Sequence, residues 1–573
     1  MNTEFFIEYN LYDVTALQSA RETSENNSGF ADLKLIKRDT AAPDYGTLEH
    51  NFFVLDGSRE EFPDTPDNLV YFSREQTGVD GRFTEGPSVH IRFSESHTSV
   101  GLTLRFLEVY PTELEIFWYD IDGALKAKRT FYPDSLIYFC NHQVEEYWGI
   151  KIVFKKALPW HNVKLQYIKY GTSVTWDSGT LKSGKLINDV DPISDRISTD
   201  KLSFDFVDKY DDFNIGNQSG LHKTFQRKQN MEAYEMVNGE KIILGTFFLD
   251  SSQTTANICK MNAIDYKGML SNIDFTEGRM YNGEPAGVVI AEIMEAAGIL
   301  DYDVDVETAG TPLYGTLKIQ SCQKALREVL FACGSIINTS RRTGVSICKS
   351  DKSSTVTIER GRKFSTTFEI DRYVSDINVK YATWALDEKI SEITKGEYGA
   401  GTHMIQLSSP AANMTTNAGR IIRQMPYYVI LEIGQDVRSD VVISGRKYVK
   451  EELSVLRRVE HIKSGEIRNT KSFAGTLLNF ASAQRVADSI LAYYQLQQII
   501  KTKHISAEEK AGDWVEIENS VKKHGNFVAA IESATTDLTG GFISTATYRG
   551  YYKLLTDYYL PGEIYTGEDV GVL

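Results

Sequence analysis

The chain has 573 residues, 42% of them hydrophobic and 24% charged, which excludes a mainly disordered protein and predicts several folded domains. Its formal net charge of −16, without a strongly basic run, argues against tight binding of nucleic acid, because that affinity comes from neutralising phosphates. No run of about 18 apolar residues occurs, and the N-terminus shows no secretory signal pattern. The five widely spaced cysteines predict reduced thiols made in a cytoplasm.

Residues 1–30 are expected to form an N-terminal arm, and residues 31–172 a jelly-roll-like β-sandwich that serves as an accessory domain. Between about residues 72 and 171, segments such as SVHIRFSES, ELEIFWYD and YWGIKIVFK follow one another at short intervals, and several alternate apolar and polar residues. That alternation is typical of half-buried strands, and Asp122-Gly123 is a hairpin-turn signal. Strands at this spacing predict an antiparallel sandwich.

Residues 173–275 are predicted to form a first β-barrel, with strands in KLSFDFVD and KIILGTFFLD. Near its start, Gly179 to Lys185 has the glycine and lysine spacing of a phosphate-binding P-loop. Leu186 stands where a P-loop carries its magnesium-binding Ser or Thr, and the turn residues that follow would stop a helix. We therefore reject a nucleotide site and interpret the stretch as glycine turns around a strand.

Residues 276–353 are predicted to form a small α/β insert. The segments EPAGVVIAEIMEAAGI and SCQKALREVLFACG each place their apolar residues on one helical face. Ser321 suits the N-cap of the second helix, and Gly298 and Gly334 suit the C-terminal ends of the two helices.

Strand patterns return over residues 354–475, which are predicted to form a second β-barrel. Residues 476–573 begin with a long helix in NFASAQRVADSILAYYQLQQII and end with further strands. Completion of the first barrel by these C-terminal strands is one arrangement that the sequence leaves open.

No residue pattern indicates catalysis or metal binding. Asp301, Asp303 and Asp305 begin like a calcium loop, but Val306 and Pro312 stand where that loop needs Gly and Glu. A strand with one acidic, solvent-facing side is the better interpretation.

The histidines do not indicate a metal site either. His90 and His97 flank a strand turn and have no third ligand at metal-site spacing. No GxSxG, no HExxH and no cysteine–histidine pairing of recognisable spacing is present. We therefore predict that the chain is not an enzyme and that it uses no cofactor or metal.

The order of several segments resembles the hub proteins of phage tail tips and baseplates. The shared pattern runs through DVDPISDRISTDKLSFDFVD, NAIDYKGML, FSTTFEIDRYVSDINVKY, AQRVADSILAYYQLQQ and IESATTDLTGGFISTATYRG. Together these segments cover residues 173 to 560. The N-terminal part, with TLEHNFFVLDGS and VGLTLRF, resembles an accessory module attached to some tail proteins in phages of Gram-positive bacteria.

The resemblance implies a mainly β, multidomain fold with a β-sandwich, two hub-type β-barrels and the α/β insert. Family hubs form homotrimers in which two barrels per chain give a pseudo-sixfold ring. The implied protein is a structural virion component, the tail or baseplate hub. It joins the hexameric tail tube to the tail tip and lines the DNA exit channel, and it is assembled in the host cytoplasm.

The implied partners are two further copies, the tail tube or distal tail protein ring on one side, and a tail spike, tail fibre or tape measure protein on the other. DNA is expected to pass without specific binding, because the acidic chain predicts a net negative channel wall. The sequence leaves open whether the tail is contractile, and whether the particle is a phage, a bacteriocin or an injection particle.

The alternative function is recognition of host cell-wall glycan or a receptor. Aromatic rings that face solvent can bind sugars, and the candidates for glycan contact are Trp118, Tyr119, Trp148 and Trp160. The competing interpretation, favoured for Trp118 by the alternation in IFWYD, is that these rings fill the sandwich core. A cell-wall hydrolase, which related tail proteins carry as an additional domain, is not expected.

Overall fold

The computed structural model describes residues 3–27, 33, 36, 47, 49, 71–217, 220–226, 229–350, 356–434, 440–462, 464–519 and 525–553. Strands dominate these residues and form several separate sheets, which confirms the prediction of a mainly β, multidomain fold. No helix among them has the length and apolarity needed to cross a membrane. Most of the start of the predicted sandwich, residues 31–70, lies outside the described residues.

The N-terminal part of the chain contributes to two different sheets. Its elements are β1 (Thr3–Tyr12), α1 (Val14–Ser19), β2 (Arg21–Glu25), β3 (Tyr71–Phe72), β4 (Ser88–Phe106), β5 (Glu113–Tyr119), β6 (Leu125–Phe131), β7 (Ile137–Lys156) and β8 (Lys164–Lys169). Strands β2 to β8 form what we call the N-terminal module, in the order β3-β8-β4-β7-β5-β6 with β2 beside β4. The long strands β4 and β7 change register between Arg92 and Gly101, which bends them around one core of buried apolar side chains.

A first unit of strands follows the N-terminal module. Its elements are β9 (Gly171–Asp177), β10 (Leu181–Asp189), β11 (Lys201–Val207), β12 (Asn230–Val237), β13 (Glu240–Thr255), β14 (Ile258–Ile264), α2 (Tyr266–Leu270) and β15 (Asp274–Phe275). Strands pair in the order β10-β11-β14-β13-β12-β1-β9, and side chains from all seven share one hydrophobic core. The P-loop-like stretch is the turn before β10 and the first half of that strand, in agreement with the interpretation from sequence.

Strand β1 corrects the prediction of an N-terminal arm. It lies between β9 and β12, antiparallel to both, so it completes the first unit from outside the predicted range 173–275. Strand β2, from the same predicted arm at residues 1–30, pairs with β4 of the N-terminal module. The local pattern identified neither pairing because the partner strands lie far along the chain.

The α/β insert follows the first unit. Its elements are β16 (Met280–Pro285), α3 (Ala286–Ala297), β17 (Tyr302–Val304), α4 (Val306–Ala309), β18 (Pro312–Thr316), β19 (Gln320–Ser321), α5 (Cys322–Cys333), β20 (Ile336–Asn338) and β21 (Val345–Cys348). Helices α3 and α5 share one buried core. Both end at the predicted glycines in left-handed conformation, with φ of 70° at Gly298 and 68° at Gly334, and the Ser321 side chain caps α5.

The remaining elements divide between two regions. They are β22 (Val356–Ile358), β23 (Lys363–Ile370), β24 (Asp376–Glu397), β25 (Gly401–Gln406), β26 (Ala411–Thr416), β27 (Arg420–Met425), β28 (Tyr428–Ile433), β29 (Asp440–Arg458), β30 (Thr470–Ala474), α6 (Phe480–Tyr494), β31 (Gln498–Ile505), β32 (Trp514–Ile517), β33 (Phe527–Asp537) and β34 (Ile543–Tyr552). Strands β22, β23 and β31 to β34 form a second unit. Strands β24 to β30 form two further sheets, β26-β29-β24-β30 and β25-β28-β27.

This division differs from the prediction of a second barrel over residues 354–475. Only β22 and β23 of that range join the second unit, and the C-terminal strands supply the rest of it. Those C-terminal strands pair with the first unit only between β10 and β33, although Leu538 and Phe542 from the connection after β33 enter its core, and they therefore do not complete its barrel by themselves. Strand patterns show where strands are, but the choice of partner depends on contacts between distant parts of the chain.

The β10–β33 pairing joins the two units into a single 13-stranded sheet, which we call the long sheet. Its main path runs from β23 at one end to β9 at the other. Pairing among the described strands closes neither unit into a complete barrel, since β9 does not pair with β10 in the first unit and β22 does not pair with β23 in the second. The main path of the long sheet therefore ends in two edges, and β22, which pairs only with β32 among the described strands, forms a third.

Candidate functional site

The structure separates the four aromatic residues that were candidates for glycan contact. Trp118, on β5, is fully buried in the core of the N-terminal module and packs edge-on against His142, with 5.3 Å between ring centroids. Its burial contradicts a glycan contact and agrees with the competing interpretation of a core residue. Tyr119 and Trp148 are half-buried on β5 and β7, whereas Trp160 is exposed in the loop after β7.

Trp160 belongs to an exposed apolar patch at one end of the N-terminal module. This loop-tip patch consists of Val79, Leu158 and Trp160, which are 77%, 50% and 52% exposed. Its two loops are held together because the Trp160 amide donates to the Thr77 carbonyl at 3.2 Å and the Thr77 hydroxyl donates to the Leu158 carbonyl at 2.5 Å. Trp148 lies too far back along β7 to join it, at roughly 3.3 Å of strand per residue.

Asp13 and Ser19, at the two ends of α1, meet the distant His97 with the contacts of a serine-hydrolase triad. His97 lies with its Nε2 2.7 Å from Ser19 Oγ and its Nδ1 3.0 Å from Asp13 Oδ2. His97 and Asp13 are buried. No spacing motif could have revealed this cluster, because it forms only where α1 packs on β4.

The surroundings of Ser19 do not suit a nucleophile. Ser19 ends α1, and the next amide, that of Ala20, donates to the Ala16 carbonyl at 3.0 Å. That amide is therefore not free to stabilise an oxyanion. The neighbouring cavity, of about 250 Å³, is lined by Asp13 and His97 but not by Ser19.

Asp13 instead has a structural role at the start of α1. Its carboxylate accepts the amides of Thr15 and Ala16, both at 3.0 Å. Burial acts to raise the pKa of the Asp13 carboxyl, but hydrogen bonds from His97, Thr15 and Ala16 outweigh it and lower the pKa to about 2. The cluster thus fixes α1, which connects the first unit to the N-terminal module.

The first unit buries a charged cluster against the insert. Lys267 Nζ lies 2.7 Å from Asp200 Oδ1 and 3.7 Å from Asp265 Oδ2, and no member is more than 1% exposed. Burial acts to lower the pKa of the Lys267 ammonium, but the two carboxylates outweigh it and raise that pKa; burial raises the pKa of Asp265. The hydroxyl of Thr339, from the insert, donates to Asp265 at 2.7 Å. These contacts join two parts of the fold.

The second unit buries charge in a different arrangement. Glu509 Oε1 lies 3.0 Å from His504 Nε2 and 2.7 Å from a guanidinium nitrogen of Arg362. Burial acts to raise the pKa of Glu509, but these partners outweigh it and lower the pKa to about 2. The adjoining cavity between the two units has a volume of about 30 Å³, which is room for about one water and too small for a substrate.

A larger cleft, of about 620 Å³, lies between the insert and the sheet of β24 and β29. Its lining mixes aromatic and charged side chains, including Trp384, Lys380 and Glu328, and Lys450 pairs with Glu452 at 2.6 Å. Within the described part of the chain, no three metal-ligating side chains gather in a group that could hold an ion. The cleft therefore gives no specific chemistry to assign.

The clearest functional surface is an apolar edge of the long sheet. Among the described strands β23 pairs only with β31, so its other side is open; we call β23 the open edge. Phe364, Phe368 and Ile370 on this strand are 61%, 58% and 81% exposed. On β10, by contrast, Leu186 is 4% exposed, and β10 is paired on both sides. Exposed apolar edges promote association with other strands.

Comparison with known proteins gives similarities at the level of structure. No family model and no curated protein matches the chain. A tail protein from Neisseria meningitidis MC58 is similar at 12% identity, with a TM-score of 0.40, over 65% of this chain and 92% of the other. A prophage tail protein from Listeria monocytogenes EGD-e is similar at 9% identity, with a TM-score of 0.37, over 67% of this chain and 92% of the other.

A third similarity is to a shorter protein. The family 32 CBM from C. perfringens NanJ, solved in complex with galactose, is similar at 11% identity, with a TM-score of 0.18, over 30% of this chain and 99% of its own. With TM-scores below 0.5, none of these similarities assigns a fold or a function by itself.

Proposed function

We propose that the chain is a structural, non-enzymatic protein of a phage-type tail, a tail-tip or baseplate hub that closes with two further copies into a ring. The observation that carries the proposal is the long sheet, in which two units are joined edge to edge and an apolar edge is left open. A sheet edge with exposed Phe and Ile side chains is an aggregation hazard unless a partner covers it. Closed association of identical copies covers every such edge.

The order of segments described above, which resembles tail hubs, supports three copies, because two units per chain then make a ring of six. Such a ring matches a hexameric tail tube or distal tail protein ring on one face. On the other face it presents threefold symmetry to a spike, a fibre or the tape measure protein. The proposed location is the virion tail tip, with DNA passing through the ring without specific binding.

A mass measurement tests this proposal directly. The purified full chain, measured by native mass spectrometry and by light scattering over a range of concentrations, is expected to give three times the 64.6 kDa of one chain. Particle images are expected to show an annulus of six similar lobes. A chain that stays monomeric at all accessible concentrations would refute the ring.

A second candidate function, recognition of host cell-wall glycan, is favoured by the loop-tip patch. An exposed Trp beside two exposed aliphatic side chains on a β-rich module is the kind of surface on which a sugar ring can stack. The half-buried Tyr119 and Trp148 remain candidates, and Trp118 is excluded by its burial.

The test uses two variants of the full chain in a pull-down on isolated cell walls. Trp160→Ala is expected to abolish binding, whereas Tyr132→Ala, at a somewhat more exposed aromatic position elsewhere on the module, is expected to leave it unchanged. Equal binding by the two variants would assign the patch another role.

A further inference from the structure

We infer that the open edge β23 of one copy pairs, antiparallel, with the free half of β13 of a neighbouring copy, and that Phe368 then lies opposite Thr254 of that neighbour. The inference rests on the proposed ring and specifies the surfaces that close it. It follows from an internal repeat in the long sheet, in which one copy of the interface is already present within the chain.

The two units repeat the same strand order. In the first unit β10 pairs with β11, β11 with β14, and β14 with β13, which also pairs with β12. In the second unit β23 pairs with β31, β31 with β34, and β34 with β33, which also pairs with β32. The open edge β23 therefore corresponds to β10, and β13 corresponds to β33.

An irregularity shared by the two units sets the correspondence residue by residue. The β13–β14 ladder shifts register between Leu249 and Ser251, and the β33–β34 ladder shifts between Ile531 and Ser533. Aligning these bulges makes Ser251 equivalent to Ser533 and, three residues on, Thr254 equivalent to Thr536.

The same alignment carries through the neighbouring strands. Ala263 on β14 and Tyr548 on β34 lie at equivalent places beside the two bulges. Leu202 on β11 pairs with Ala263, and Ile500 on β31 pairs with Tyr548, so Leu202 and Ile500 are equivalent. The next partners along are Leu186, opposite Leu202, and Phe368, opposite Ile500. Leu186 and Phe368 are thus equivalent positions, and both stand on the core side of the sheet.

The contact inside the chain predicts the contact between copies. Within the chain β10 pairs with β33 so that Leu186 lies opposite Thr536 and Asp189 opposite Ser533. If each residue is replaced by its equivalent in the other unit, Phe368 takes the place of Leu186 and Thr254 that of Thr536. Phe368 then lies opposite Thr254 of the neighbouring copy, and Glu369 lies opposite its Gln253. No like charges meet in this register.

Both strand edges required for this contact lack a partner strand among the residues that the structure describes. Strand β12 ends its pairing with β13 at Phe248, just as β32 ends its pairing with β33 at the equivalent Ala530. Beyond that point β33 is paired with β10, whereas residues 251–255 of β13 pair only with β14 among the described strands. Because the two surfaces differ and lie on different units, each copy engages one neighbour on each side, as ring closure requires.

A disulfide test distinguishes this register from others. The full chain carrying Phe368→Cys and Thr254→Cys, oxidised after assembly, is expected to give a covalent trimer on a non-reducing gel. The control carries Glu369→Cys with Thr254→Cys, which places the two thiols on opposite faces of the sheet and is expected to give no cross-link. The unmodified chain is the second control, because four of its five cysteines are buried.

The outcomes separate this inference from the ring itself. A native trimer that cross-links only in the Phe368→Cys, Thr254→Cys variant supports the strand pairing. A native trimer that fails to cross-link there, or that cross-links equally in the control, overturns the pairing and leaves the ring intact. A monomer before oxidation overturns the ring as well.

A second measurement does not depend on disulfide geometry. Phe368→Asp is expected to weaken association by at least about tenfold, since it buries an unpaired charge at the contact. Ile390→Asp, at a similarly exposed apolar position on β24, is expected to leave association unchanged. Both variants should keep the thermal unfolding midpoint of the monomer, because neither side chain is buried in the chain; equal association of the two would overturn the pairing.

Discussion

Strands β10 and β23 occupy the same position in the two units of the long sheet, yet one is covered and the other is open. Leu186 on β10 is 4% exposed, whereas the equivalent Phe368 on β23 is 58% exposed. The two strands have similar local character, and they differ in whether a second strand pairs along their free side within the chain. Burial of an apolar strand residue is therefore a property of its neighbours as much as of its own sequence.

The two units also differ in how they hold buried charge. The first unit neutralises Lys267 with two aspartates and ties them to the insert through Thr339. The second unit surrounds Glu509 with His504 and Arg362, next to the small cavity between the units. In both, a charge removed from water is stable only because its partners are fixed beside it.

The largest expected effect tests the cluster of the first unit. Lys267→Met leaves two aspartates buried without their cation, and we expect it to lower the free energy of unfolding by about 3 to 5 kcal/mol. Urea denaturation followed by tryptophan fluorescence measures the change. Lys241→Met is the matched control, because Lys241 is 41% exposed and its pair with Glu232 should contribute less than about 1 kcal/mol. Equal effects of the two variants would show that the buried cluster is not stabilising.

The difference between the covered strand β10 and the open edge β23 predicts the next largest effect. Leu186→Ala removes a buried side chain and is expected to lower the free energy of unfolding by about 2 to 5 kcal/mol. Phe368→Ala, measured at concentrations where the chain is monomeric, is expected to change it by less than about 0.5 kcal/mol. A large loss for Phe368→Ala in the monomer would mean that β23 is covered within the chain, and the comparison would fail.

The third prediction concerns pH and the charge cluster of the second unit. Because the pKa of Glu509 is lowered in the folded chain to about 2 from an ordinary value near 4.5, the stability it contributes is present above pH 4.5. That stability, about 3 kcal/mol, is lost as the pH falls from about 4.5 to about 2.

Urea denaturation at a series of pH values tests this dependence. Glu509→Gln should remove part of the acid dependence, whereas Glu369→Gln, on the exposed side of β23, should keep it. An unchanged acid dependence in Glu509→Gln would show that the carboxyl titrates normally.

Much of the local structure followed from sequence pattern. The periodicity of EPAGVVIAEIMEAAGI and SCQKALREVLFACG, with Ser321, Gly298 and Gly334 at the ends, predicted α3 and α5 because helix signals are local. The long helix was predicted in the correct segment, but the structure ends it at Tyr494 and continues the segment as β31. The aromatic residue Trp118 was correctly suspected of belonging to the core from the alternation around it.

Pairings between distant strands were predicted wrongly or incompletely. The arm at residues 1–30 contains β1 and β2, which belong to two different sheets, and the range 354–475 was divided between the second unit and two other sheets. The cluster of Ser19, His97 and Asp13 also could not be predicted from sequence, because His97 reaches the other two only through the packing of α1 on β4. Alternation within a segment indicates which face of the strand is apolar, but it does not specify which other strand the segment pairs with.

The sequence by itself determined that this chain is rich in strands, where the two longer helices of the insert lie and end, and which faces of its strands are apolar, because these properties depend on residues within a few positions of one another. Tertiary structure alone decided which strands share a sheet, that β10 is covered by β33 and that β23 is left open. Those outcomes depend on hydrogen bonds and side-chain contacts between segments separated by hundreds of residues, and such contacts exist only after the chain has folded.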